Sequence, residues 1–152
     1  MSVAEISIQT FADVADSIWY NSDCRLVFLS FRERYLELSC YNRRSTTVTR
    51  RDVLAFVERL YIANRLACAY QYPDSSADGS IHIRRLHEHE LNGHVLSWHK
   101  LLSALQDIEY NLYTNGGRCF LGSEDMERLQ RLIHTCMGRL AESACATVEV
   151  AP

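Results

Sequence analysis

Lysine is almost missing from this chain: Lys100 stands alone against fifteen arginines. Long apolar runs are missing too, none exceeding about five residues, as in Leu66-Ala67-Cys68-Ala69-Tyr70, with Leu26-Val27-Phe28-Leu29 the bulkiest. That falls far short of the ~20 residues a membrane-spanning helix needs. The opening MSVAEISIQTF holds no basic stretch followed by an apolar one, so no export leader is visible. Six cysteines are present, but no CxxC occurs, which removes the common zinc-finger and thioredoxin signatures. There is no GxSxG and no glycine-rich phosphate loop, so nucleophilic and phosphoryl-transfer chemistry lack their usual carriers. A net charge of -3 argues against a protein that coats nucleic acid. From these absences a soluble, cytoplasmic protein with no cofactor and no membrane contact is expected.

What is present fits one globular domain over residues 1–152. Apolar residues make up 47% and charged residues 23%, near the averages of folded soluble proteins, so disorder is not expected. A chain of this length can bury roughly 70% of its unfolded surface. The arginine excess suits an anionic partner, because guanidinium binds carboxylate and phosphate through a planar fork. Codon usage in a GC-rich genome is the plainer explanation and the one preferred. Most of the cysteines fall on apolar faces: Cys40 alternates with Leu36 and Leu38, and Cys136 follows Ile133 at helical spacing. Free cysteine packs as a small hydrophobe, so buried, reduced thiols are expected.

Hydrophobic periodicity supplies the elements. Phe11, Val14, Ala15, Ile18 and Trp19 form one helical stripe over residues 10–20, with Thr10 as its cap. Residues 25–41 fit two patterns. Leu36, Leu38 and Cys40 alternate as in a strand, and a hairpin turning near Arg32-Glu33-Arg34 is the reading adopted. Phe28, Phe31, Tyr35 and Leu38 would serve a helix instead. Behind Thr49, the residues Val53, Phe56, Val57, Leu60, Tyr61 and Asn64 predict a second helix to about Arg65. LACAYQY, a PDSSADG loop and SIHIRRL then predict a second hairpin, turned by Pro73, Asp74 and Gly79. Trp98, Leu101, Leu102, Leu105, Ile108 and Leu112 mark a third helix over 97–114, closed by Asn115-Gly116-Gly117. Ser123 caps a fourth, whose inner face is Met126, Leu129, Ile133, Cys136, Met137 and Leu140. Glu124 and Asp125 suit its N-terminal dipole, and the tail ACATVEVAP is a frayed end or a short edge strand. The expected class is α+β, a single domain of about four amphipathic helices and two short β-hairpins, with an all-α bundle as the alternative.

Two stretches are chemically conspicuous. HEHELNGH, residues 87–94, resembles a metal site at first sight. The zinc-protease pattern needs histidines four apart on one helical face, whereas His89 and His94 are five apart. Five residues turn a helix by about 500°, leaving the two some 140° apart. A looser set drawn from His82, His87, His89, His94 and His99 reads as a solvated connector, and no metal is assigned.

NRRSTTVTRRD, residues 42–52, places Arg43, Arg44, Arg50 and Arg51 around a hydroxyl-rich loop entering a helix. Arginine at a helix N-terminus is locally unfavourable, and an acidic partner would turn that cost into attraction. Tyr70 and Tyr72, with Tyr110 and Tyr113, add aromatic surface of the kind that anchors interfaces. No catalytic residue stands out; His134 reads as a partly buried helix residue. The function expected is a small protein-binding module that neutralises or sequesters a partner with an acidic surface, of the immunity-protein, antitoxin or phage-inhibitor type. The alternative is an anion or nucleic-acid binder acting through Arg43–Arg51.

Overall fold

Every regular element among the described residues is a helix. The computed structural model describes residues 6–28, 48–71, 94–113 and 120–150. Its helices are α1 (Ile8–Tyr20), α2 (helical over residues 22–28), α3 (Arg50–Gln71), α4 (Trp98–Tyr113) and α5 (Ser123–Val150). The α+β expectation is thereby overturned in favour of an all-helical fold.

The two hairpins fail for a readable reason where the structure describes them. A strand starting at Leu26 would alternate its neighbours between faces. Instead Leu26 is exposed while Val27 and Phe28 are both buried, and Cys24, three residues before Val27, joins them on one helical face. Residues 29–47 lie outside the described part, including the turn expected near Arg32. LACAYQ, read as a strand, is instead the last turn and a half of α3. Its alternation of large and small residues imitates a strand, but Ala67 continues the stripe of Val53, Phe56, Leu60 and Ala63, all essentially buried. The remainder of the second hairpin falls outside the described residues.

The helix starts are chemically determined. α1 begins earlier than expected, because Ser7, not Thr10, is the cap: its hydroxyl accepts from the Thr10 backbone N–H at 3.3 Å. At α3, Thr49 and Asp52 form a reciprocal box. The Asp52 N–H donates to Thr49 Oγ1 at 3.3 Å, and the Thr49 N–H donates to Asp52 Oδ2 at 2.9 Å. Ser97 Oγ accepts from the Lys100 N–H at the start of α4. For α5, Ser123 is the first helical residue and not the cap, while the Gly122 carbonyl accepts from Met126 N–H at 2.9 Å. The tail expected to fray or form an edge strand carries this helix on to Val150.

α1 packs antiparallel on α3, with Asp16 near Arg50 and Phe11 edge-on to Tyr61 at 5.4 Å. α5 runs antiparallel to α4, from Tyr113 beside Gln130 to Trp98 beside Arg139. α5 also runs antiparallel to α3. α2 fills the gap between α3 and α5, where the Phe28 and Phe56 rings meet edge-on at 5.4 Å. The core between these helices holds Phe11, Ile18, Phe56, Leu60, Leu101, Leu105, Ile108, Leu129 and Leu132, all fully buried. Each such side chain contributes roughly 1.5–3 kcal/mol gross. Leu132 replaces two expected members of the α5 face, since Met137 is exposed and Leu140 only half-buried. Inside this apolar mass Asn111 Nδ2 donates to Asn64 Oδ1 at 3.0 Å, and both residues are buried. That bond forms in one register only and so favours a single offset of α3 against α4, although Asn64 Nδ2 has no hydrogen-bond partner among the described residues.

Candidate functional site

Of the four arginines expected to form one positive patch, two are described. Arg50, the first residue of α3, turns back onto α1 and meets the Asp16 carboxylate at 3.7 Å. The Asp16 side chain is only 2% exposed, so this is an inward contact and not a solvated one. The Arg50 guanidinium also lies 5.9 Å above the Tyr20 ring. Asp16 thus offsets the unfavourable placement of a cation at a helix N-terminus. Arg51 points outward and is exposed. Arg43, Arg44 and Tyr72 lie outside the described residues.

Tyr20 is the residue that periodicity did not single out. It follows Trp19 at the end of α1, just off the buried stripe, and is 56% exposed. The junction of α1 and α3 therefore carries an exposed tyrosine, a guanidinium stacked on it, and a second guanidinium free to point outward. The backbone amides of Thr49 and Asp52 are already used by the capping box, and the Asp52 carboxylate occupies the place a small anion would take.

Tyr70 is exposed as expected, but it sits at the far end of α3, where its ring lies 5.8 Å from Phe120. Twenty residues of helix separate Arg50 from Tyr70, about 30 Å at 1.5 Å per residue. The arginines and Tyr70 hence form two surfaces. Near the Tyr70 end, Tyr110 and Tyr113 are exposed on α4, and the Tyr113 hydroxyl accepts from Gln130 Nε2 at 2.6 Å.

A third charged centre joins α3 to α5. Arg59 grips Asp125 with two bonds, Nε to Oδ2 at 2.6 Å and Nη2 to Oδ1 at 3.1 Å. Arg128 donates to the same carboxylate at 2.6 Å, and its guanidinium lies 5.0 Å from the Phe28 ring and 5.6 Å from the Phe56 ring. The Asp125 hydrogen bond raises the Arg59 pKa, whereas burial pulls the Arg128 pKa down. Sequence reasoning gave Asp125 only a dipole role; nothing in its spacing pointed to Arg59, 66 residues away.

Two open grooves are lined by described residues. One, of about 530 Å³, runs between α2 and α5 past Asp23, Val27, Thr135 and Arg139. The other, of about 470 Å³, lies between α1 and α4 and contains Thr10, Asp13, Lys100 and Asp107. Among the described residues no group of three or more His, Cys, Asp and Glu side chains could hold a metal ion. His94 and His99 are exposed, while His82, His87 and His89 fall outside the described part. His134, expected to be partly buried, is exposed at the first groove. No helix among the described residues is long and apolar enough to cross a membrane. Set against protein-family models, curated proteins and solved structures, the chain finds no match in any of the three.

Proposed function

We propose that this helical domain is a small non-catalytic binding module that neutralises or sequesters a protein partner with an acidic surface, in the manner of immunity proteins, antitoxins and phage-encoded inhibitors. The observation that carries the reading is the α1–α3 junction, where exposed Tyr20 lies under Arg50 beside outward-facing Arg51. Tyrosine and arginine dominate interface anchors because each combines a large apolar body with directional polar contacts. Pre-stacking Arg50 on Tyr20 also reduces the side-chain entropy lost on binding. The alternative, an anion or nucleic-acid site on the same segment, is weakened by the Asp52 carboxylate at the helix start.

The test is capture of the partner on the tagged protein, followed by binding kinetics of the wild type and of a Tyr20→Ala, Arg51→Gln variant. Arg50 is left intact because it holds the fold. The variant is expected to associate more slowly and to lose much of its salt dependence, since Debye screening acts over ~8 Å at physiological ionic strength. Unchanged kinetics would move the interface away from this junction. A steep salt slope with competition by unrelated DNA or RNA would favour the nucleic-acid alternative.

A further inference from the structure

Lys100 is the one lysine beside fifteen arginines, and it lines the groove of about 470 Å³ between α1 and α4. That volume falls in the range of small-molecule sites, about 300–1,000 Å³. The two helices run antiparallel, and the Leu96 N–H donates to Ser17 Oγ at 2.8 Å just before α4 begins. One turn on from that contact along each helix, Asp13 and Lys100 line opposite walls of the groove. Asp107 lines its other end, seven residues further along α4, or about 10 Å at 1.5 Å per residue. Among the described residues none of these three charges is ion-paired, and Asp13 Oδ1 accepts from Gln9 Nε2 at 3.0 Å. Ile6 and Ala104 give the walls apolar surface.

We propose that the α1–α4 groove binds a free basic α-amino acid, lysine or arginine. Asp13, Asp107 and Lys100 put two carboxylates and one ammonium on the lining. A basic amino acid carries the complement, two cations and one carboxylate. The order of the charges matches as well as their sum. Asp13 and Lys100 stand at one level without pairing, so the α-ammonium meets the first and the α-carboxylate the second. The side-chain cation reaches Asp107, with its methylenes along Ile6 and Ala104. An extended lysine or arginine, with a hydrogen bond of about 2.8 Å at either end, spans a length close to the rise from Lys100 to Asp107. An ammonium at position 100 is a compact point charge, which leaves room for a headgroup between it and Asp13. A residue inside a peptide chain has neither the free α-ammonium nor the free α-carboxylate, and so lacks both contacts at that end. None of the residues of the α1–α3 junction takes part.

The experiment titrates the full chain with L-lysine and L-arginine by calorimetry in an amine-free buffer, with cadaverine, agmatine and L-norleucine as comparisons. Cadaverine and agmatine lack the carboxylate, whereas norleucine keeps the length of lysine and lacks its side-chain cation. Saturable binding of lysine or arginine is expected, the tighter of the two naming the ligand. Each comparison compound should bind at least about tenfold more weakly, the effect of losing one charge-assisted contact. Asp107→Asn should bring lysine down to the affinity of norleucine, and Lys100→Gln should bring it down to that of cadaverine. Both side chains are exposed, and melting curves matching the wild type show that the variants fold. No saturable binding of either amino acid up to about 10 mM, comparison compounds that bind as tightly, or an unchanged lysine affinity in either variant would each overturn the proposal. If a variant fails to fold, the ranking of the five compounds on the wild type decides alone.

Discussion

Asp16 and Asp125 are both buried carboxylates that meet arginine, yet the two centres are built differently. Asp125 receives three charge-assisted hydrogen bonds of 2.6–3.1 Å from Arg59 and Arg128, and the Arg128 head is enclosed by Phe28 and Phe56. Asp16 meets Arg50 at 3.7 Å, and the far side of that guanidinium lies over exposed Tyr20. The first centre is enclosed on its Arg128 side and meets solvent at Arg59. The second is tethered inward and open outward. A closed centre resists change because short bonds in low dielectric are costly to break. An open one keeps a charge available at the surface while its inner end is held.

The largest expected effect comes from the closed centre. Asp125→Ala strands Arg128 against two aromatic rings and should lower stability by about 2–4 kcal/mol, read from the midpoint of urea unfolding. The figure lies below that of a fully buried pair because the Arg59 side chain is 48% exposed and partly screened by solvent. An Asp125→Ala protein as stable as the wild type would erase the contrast between the two centres.

Asp16→Ala should cost less, about 1–2 kcal/mol, because Arg50 is 24% exposed and can swing to water once released. The same variant should free the guanidinium from Tyr20, seen as a change in tyrosine fluorescence or in the Tyr20 ring chemical shifts. A larger loss than that of Asp125→Ala would reverse the ranking.

The smallest change sharpens the role of the helix start beside Arg50. Thr49→Ala removes one half of the capping box and should cost about 1 kcal/mol, or a melting-temperature drop of roughly 2–4 °C. Asp52→Ala should lower stability by a similar amount. It should also uncover the helix N-terminus, so that inorganic phosphate stabilises this variant more than the wild type. Equal response of the two proteins to phosphate would show that Asp52 does not guard that end.

Long amphipathic stripes were legible without the structure. Val53, Phe56, Val57 and Leu60, and again Leu101, Leu105, Ile108 and Leu112, repeat at a spacing that only a helix places on one face, and all are buried. Short stretches misled. Leu26-Val27-Phe28 and LACAYQ satisfy a strand pattern over a few residues, and so short a window cannot separate the two periods. What decided them was the packing partner: α5 for residues 24–28, and continuation of the α3 stripe for 66–71. The arginine loop was legible as charge, but not the division of labour within it. Nothing in the order of residues announces that Arg50 folds back onto Asp16 while Arg51 does not. That depends on which side of α1 faces α3.

The sequence by itself determined where most helices lie, which faces are apolar and which chemistries lack their motifs, because periodicity and motif spacing are local properties of the chain. Tertiary structure alone decided that Asp125 joins Arg59 and that Asn64 meets Asn111. Both of those contacts join residues on different helices far apart in the chain. Their meeting is set by how apolar faces dock, and the hydrophobic attraction that docks them carries no record of which polar groups it will bring together.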